Sequence, residues 1–393
     1  MKILFLISAI GAVYGGTSKV VLELAEVMGK QGIDINIVTT NANGETVLEV
    51  PLYTLVKQDH YRIIYFPCIQ WGDYKYSRTL ANWLFKHISE YDLVHTHAIF
   101  SLPNWSAYQA CKSNNIPYII TPHGMLEPWA LSYKAWKKKI YFSWIEKPAL
   151  QDACTLHLIS SIEKQHIHAL GLKTPTIVLP NGLHPEEFID LPDPELFYQS
   201  YPHTRNKLLL LFLGRIDPKK GLDLLANAFG KLHVHFPETH LIVAGPDNVG
   251  FLKTAQQYFI DAGCFQAVTF TGMLEGQLKL SALAAADLYV APSYSEGFSM
   301  SILEGMAAGL PCVITTGCNF PEAGAANVAK VININADDFT IALFELVKDL
   351  KSAQAMGDRA RQFVLENYTW ESIGKKMINA YENILSHRST STG

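Results

Sequence analysis

At 393 residues the chain is too long for one ordinary core, and two domains are expected. Hydrophobic residues make up 49% and charged ones 17%, the balance of a well-buried globular protein, and a net charge of −4 gives no support for nucleic-acid binding. No apolar run reaches the ~18 residues of a spanning helix, and six cysteines without a C-x-x-C pair read as packed thiols of a reducing, cytoplasmic compartment.

The opening MKILFLISAIGAVYGG could be a signal peptide or a buried strand running into a glycine turn. The amphipathic TSKVVLELAEVMGKQG directly after it favours the strand. From there short β-branched runs alternate with helical stretches, the pattern of parallel α/β sheets. The first half offers KILFLIS, INIVTT, RIIYFP, LVHTHA, YIITPH, TLHLIS and TIVLP as strands. A stretch rich in Pro, Asp and Glu then reads as a linker over 185–205. The second half restarts with KLLLLFLGR, followed by HLIVAG, VTFTG, DLYVAP, PCVITT and AKVIN. The expected domains are therefore 1–184 and 206–369, with the last helix, 370–393, packing back on the first.

Both halves read as doubly wound, and such sheets bind ligands outside the carboxyl ends of their strands. The notable residues fall there: Gly15 and Gly16, His95 and His97, and His123 with Gly124 in the first half. Gly214, Arg215, Gly245, Gly272 and Glu296 follow strand ends in the second. Two such rims facing each other across a cleft would make one site. The spacing of Gly11, Gly15 and Gly16 departs from G-x-G-x-x-G, and strand two ends in Thr39-Thr40-Asn41 without an acid. A nicotinamide-dependent dehydrogenase is therefore disfavoured.

In LGRIDPKKGLDLL, Arg215, Lys219 and Lys220 lie in a turn entering a helix. They suit phosphate oxygens, or they are a solvated turn paired with Asp217 or Asp223. His95 and His97 project to one side of a strand, as a metal pair or as hydrogen-bonded strand-end imidazoles. No Asp-x-Asp occurs, so no metal and no other cofactor is expected.

PSYSEGFSMSILEG places Glu296 and Glu304 eight positions apart. Gly297 is a poor early-helix residue, which puts Glu296 in a loop and Glu304 within the first turns of a helix. A carboxylate there can accept two hydrogen bonds from a vicinal diol, and the amides of Phe298, Ser299, Met300 and Ser301 would point at an anion before the helix. The alternative is capping, with Ser301-x-x-Glu304 as a capping box. YKAWKKKIYFSW, at 133–144, reads as a patch for an anionic membrane surface, a saccharide-acceptor lining, or an ordinary amphipathic surface helix.

Taken in order, these residues resemble the retaining glycosyltransferases of family 4, with the two-domain GT-B fold. Glu296 and Glu304 match that family's E-x7-E motif, and FLGRIDPKKGL its diphosphate segment. FTGML stands at the base-binding turn, and YGGTSKVVLELA, DLVHTHA, TPHGML and VLPNGL at the first-domain motifs. The resemblance implies that Arg215 and Lys220 hold a diphosphate with Gly16 close by. Glu304 would then bind the ribose, main-chain groups near Met273 the base, and Glu296 and His123 the donor hexose. It also implies transfer with retention and no protein nucleophile. PHGMLEPWALSYKAWKKK is similar to bacterial exopolysaccharide glycosyltransferases, which makes His97, Trp129 and Trp136 acceptor-side candidates. The expected partners are a nucleotide-sugar donor, with UDP-glucose the best guess, and a saccharide or lipid-linked acceptor, with peripheral contact at the inner membrane surface. Other classes that fit are a nucleotide-sugar isomerase or hydrolase on the same fold, and a non-catalytic sugar-nucleotide binding module.

Overall fold

A computed structural model describes residues 1–71, 74–128, 131 and 139–391. The chain divides into two units, Met1–Asn181 with Trp370–Gly393, and Gly182–Thr369.

The first unit is built on β1 (Lys2–Ala9), β2 (Asp34–Thr40), β3 (Arg62–Phe66), β4 (Leu93–His97), β5 (Tyr118–Thr121), β6 (Thr155–Leu158) and β7 (Thr176–Val178). They pair in parallel in the order β7-β6-β5-β4-β1-β2-β3, and a short antiparallel strand, Leu55–Lys57, closes the edge beyond β3. That edge strand was not anticipated. β1 is buried along Ile3–Ile7, the continuous apolar run that a central parallel strand requires. Chain order reverses beside β1, so β1 and β4 flank the switch point where such sheets hold ligands. Helix α1 (Gly16–Lys30) leaves the β1 end and buries Val20, Val21, Leu24 and Met28. α2 (Leu102–Asn114) follows β4, and α3 (Ser161–Ala169) follows β6. The last helix, α4 (Trp370–Ser391), lies on α1 so closely that a Cβ at Gly374 would stand 2.3 Å from Val27 Cγ1.

The second unit repeats the plan with β8 (Leu208–Leu213), β9 (Thr239–Ala244), β10 (Val268–Gly272), β11 (Leu288–Ala291), β12 (Cys312–Thr315) and β13 (Lys330–Ile332). All pairings are parallel, in the order β10-β9-β8-β11-β12-β13, and here β8 and β11 flank the switch point. Its core joins Leu210, Phe212, Val243, Val290 and Val313 of the sheet to helix residues such as Leu225, Phe229, Phe259 and Phe339.

Residues 185–205 are not a free linker. Phe188 and Phe197 are 1% exposed within the second unit, and the Phe197 amide donates to Ser281 Oγ at 2.9 Å. Arg361 ties the segment's start by donating to the Phe188 carbonyl. Two buried phenylalanines outweigh the segment's turn-forming composition. Among the described residues no helix is long and apolar enough to cross a membrane.

Candidate functional site

At the β8–β11 switch point of the second unit, the chain leaves β8 through Gly214 and Arg215 into a tight turn. Asp217 accepts from the Lys219 amide at 3.0 Å, and Gly221, at φ 69°, ends the turn. A Cβ on Gly221 would stand 2.0 Å from the Pro292 carbonyl oxygen, so this turn presses directly on the chain leaving β11. That contact brings Lys220 Nζ to 2.5 Å from Glu296 Oε1. Ser293 Oγ donates to the same oxygen at 2.7 Å, and the Glu296 amide donates to the Gly317 carbonyl at 2.7 Å. Glu296 thus lies in a loop, held from both sides. Burial alone would raise its carboxyl, but the Lys220 and Lys219 charges outweigh burial and hold it below the ordinary value. The same burial depresses Lys219.

The helix after this loop, Met300–Ala307, presents Glu304 from its second turn. Ser299 is the N-cap, and it makes no side-chain cap hydrogen bond. The alternative, a capping box on Ser301, does not form: Ser301 is the second residue of the helix, and its Oγ accepts from the Tyr289 hydroxyl at 2.7 Å from the sheet below. The first-turn amides, which include those of Met300 and Ser301, are therefore uncapped by any described side chain. Phe298 is buried, its ring stacked 5.8 Å from Tyr368 and edge-on to Phe320, so it anchors the loop. Glu304 pairs with Lys279 at 2.9 Å, a residue of the helix Gly276–Ala285 that follows the Met273 turn. Met273 is exposed.

The charges can be counted. Lys220 and Lys279 each have a glutamate, whereas Arg215 and Lys219 make no side-chain hydrogen bond or ion-pair contact among the described residues. Two cations beside uncapped helix amides suit one doubly charged anion.

The first-unit rim has another chemistry. Gly16 opens α1 after Gly15 at φ 69°. His95, His97, His123 and His157 crowd the ends of β4, β5 and β6. Burial drives His123 down to about 3 and His157 to about 4, and holds His95 and His97 well below the imidazole range. His95 Nδ1 meets the Tyr381 hydroxyl of α4 at 2.5 Å, and its Nε2 meets Thr121 Oγ1 at 2.6 Å. Both nitrogens are thus in hydrogen bonds, and no group of three His, Cys, Asp or Glu among the described residues is placed for a metal. His123 sits in a left-handed conformation, φ 54°, held where Glu163 accepts from the Gly124 amide at 2.7 Å. Asn104 donates to the His97 and Ala98 carbonyls at 3.0 and 2.8 Å and fixes the turn after β4.

His97 was expected on the acceptor side. It is 1% exposed and meets His123 Nε2 at 3.2 Å, so it faces a neighbouring ring and not solvent. Trp129 and Trp136 lie outside the described residues; farther along, Ile140 and Trp144 are exposed. Sequence reasoning missed Lys279, Thr121, Glu163 and Tyr381. For Tyr381 no local signal exists, since its partner is 286 positions away.

Two family models match the chain, "Glycosyltransferase Family 4" over residues 14–187 and "Glycosyl transferases group 1" over 195–363. A phosphatidyl-myo-inositol mannosyltransferase of Mycolicibacterium smegmatis is 26% identical over 381 residues, covering 94% of this chain and 90% of that protein. Among solved structures, sucrose-phosphate synthase of Thermosynechococcus elongatus superposes with a TM-score of 0.79 at 21% identity, over 98% of this chain and all of that one. HepE of Anabaena, in complex with UDP and glucose, gives 0.77 at 18% identity, over 98% and 100%.

Proposed function

Because the chain belongs to the glycosyltransferases of family 4 with the GT-B fold, we propose that it moves a hexose from UDP-glucose, with retention, to a saccharide or lipid-linked saccharide acceptor in polysaccharide or glycolipid synthesis. The observation that carries this reading is the second-unit rim, where among the described residues Arg215 and Lys219 have no ion-pair contact, two glutamates are held by lysines and the first-turn helix amides are uncapped. Arg215 and Lys220 take the diphosphate, aided by the amides of Ser299, Met300 and Ser301. Glu304 accepts from the ribose diol, backbone at Met273 meets the base, and Glu296 accepts from hexose hydroxyls. Gly16 and His123 are the first unit's own donor-side residues on this reading. In the transfer the acceptor oxygen bonds to the anomeric carbon as the bond to the diphosphate breaks. The acceptor proton passes to the departing diphosphate, whose charge the cations and amides stabilise. No metal is needed on this reading.

UDP-glucose is favoured because a hexose with equatorial hydroxyls suits a carboxylate placed like Glu296. One named relative is a mannosyltransferase and one similar structure holds UDP and glucose, so the test compares donors directly. Purified protein is incubated with UDP-glucose, UDP-galactose and GDP-mannose, with and without EDTA, and nucleotide release is followed. Release from UDP-glucose that survives EDTA is expected. Turnover of GDP-mannose alone would overturn the donor, and loss restored by Mg²⁺ would overturn metal independence. Rapid release that no acceptor changes would favour a hydrolase.

A further inference from the structure

The histidine cluster can be assigned proton by proton. His157 Nε2 meets the Leu179 carbonyl at 2.9 Å, and a carbonyl only accepts, so this nitrogen carries the proton. In a neutral ring Nδ1 is then bare, and it accepts from the Thr121 hydroxyl at 2.8 Å. Thr121 has one proton, now spent, so at 2.6 Å it must accept from His95 Nε2–H. His95 Nδ1 is bare in turn and accepts from Tyr381. The chain runs one way from α4 across β4, β5 and β6.

The second pair is fixed by an orphan atom. His97 Nε2 is buried and has no hydrogen-bond partner among the described residues, while its Nδ1 meets His123 Nε2. If His123 donated, His97 Nε2 would be a buried unsatisfied N–H. If His97 Nδ1–H donates, the orphan is a bare lone pair, which is the less costly defect. Neither ring has a second choice. His97 stacks 4.3 Å from His95 and packs 4.9 Å from the Phe5 ring, so it has no room to turn toward another partner. His123 is partly exposed, and among the described residues its Nδ1 makes no hydrogen bond.

We propose that His97 is a positioning residue that fixes the tautomer of His123, so that His123 presents an Nδ1–H donor at the rim. His123 is thereby a hydrogen-bond donor and not a general base, because its one bare nitrogen is occupied by His97. That the accepting atom is a donor-sugar oxygen rests on the function proposed above; the tautomer itself does not.

The experiment labels the full-length protein with ¹⁵N-histidine and reads long-range ¹H–¹⁵N correlations near pH 7.5, with rings assigned by single substitutions. Nδ1–H is expected at His97 and His123, and Nε2–H at His95 and His157. His97→Asn keeps a donor near the Nδ1 position and should keep His123 as Nδ1–H. His97→Leu removes it and should release His123 toward Nε2–H, with kcat for UDP-sugar turnover about tenfold lower, restored to within a few-fold by His97→Asn, and KM little changed. Nε2–H at His123 in the wild type would overturn the proposal. So would an unchanged His123 in a folded His97→Leu. If His97→Leu does not fold, the wild-type spectrum alone decides, and if no donor turns over, the tautomers still stand or fall by themselves.

Discussion

The two rims stand at equivalent places, the switch points of sheets with the same central order, yet they solve the burial of polar groups in opposite ways. The second unit uses full charges and pairs them, Lys220 with Glu296 and Lys279 with Glu304. The first unit uses rings driven neutral by burial and orders them by hydrogen-bond direction. Charge pairs can be opened and re-formed around an incoming anion, because each partner keeps its charge. A directional chain of neutral donors holds one arrangement. The difference is one of adaptability: the second-unit rim can exchange its charge partners, and the first-unit rim is rigid.

Removing one charge from each kind of environment in the second unit should produce the largest difference. Lys220→Ala leaves the buried Glu296 carboxylate unpaired and should cost about 3–5 kcal/mol of stability. Arg215 has no such partner among the described residues, so Arg215→Ala should stay within about 0.5 kcal/mol. Both should weaken UDP binding by about 1.5–3 kcal/mol while sparing uridine. Urea denaturation beside calorimetric titration reads the two quantities. Equal stabilities would show that the Lys220–Glu296 pair is no more structural than a free cation. Equal losses for uridine and UDP would take the turn out of diphosphate binding.

Acid should separate the rims next. An imidazole whose folded pKa lies below its unfolded value of 6.5 gives stability that is complete above pH 6.5 and is lost as pH falls toward the folded value. For His157, at about 4, this is on the order of 3 kcal/mol. In the same unit burial raises Glu146 and Glu163 to about 7, so their contribution is full below 4.5, is lost as pH rises through 7, and partly offsets the histidines in acid. Four rings against two carboxyls leave a net loss. The second unit has one such ring, His240 at about 4, against the four of the first, and its Glu296, held below 4.5, loses its contribution only as pH falls below that value. Hydrogen exchange from pH 7 to 4 should therefore show the first sheet loosening first. Simultaneous loosening, or the reverse order, would contradict the assignment of neutral rings.

Much of this was legible in the sequence, for reasons that particular residues make plain. All thirteen main strands lie within the runs KILFLIS to AKVIN or extend them by a residue, because a parallel strand covered on both faces must be continuously apolar. Gly297 announced that Glu296 leaves the helix. What was not legible depends on residues far apart. Ser301 fits a capping box, but it falls inside the helix, and Tyr289, twelve positions back, donates to its hydroxyl. Segment 185–205 carries a linker's composition, but Phe188 and Phe197 find a core. The imidazoles were visible at the strand ends, but nothing local tells that Thr121 has its single proton already committed, or that the chain of donors begins on α4. Direction in a hydrogen-bond chain belongs to the assembled set.

That direction also sets the smallest expected effect. Tyr381 is the first donor of the chain and His95 Nδ1 its acceptor, so Tyr381→Phe leaves a bare lone pair and displaces no proton farther along. The cost should be about 1 kcal/mol, with His95 and His157 still carrying Nε2–H. α4 keeps its seat through the close approach of Gly374 to Val27 and the Gln31 bond to the Glu371 carbonyl, so the helix should not detach. Thr121→Val strikes the middle instead. It orphans a buried N–H on His95 and a lone pair on His157 together, and should cost two to three times as much. Thermal melts of both variants give the ratio, and the ¹⁵N spectrum gives the tautomers. If Tyr381→Phe proved the more damaging, or switched His95 to Nδ1–H, the chain would run the other way, and the neutral Nε2–H form of His157 facing the Leu179 carbonyl would have to be abandoned.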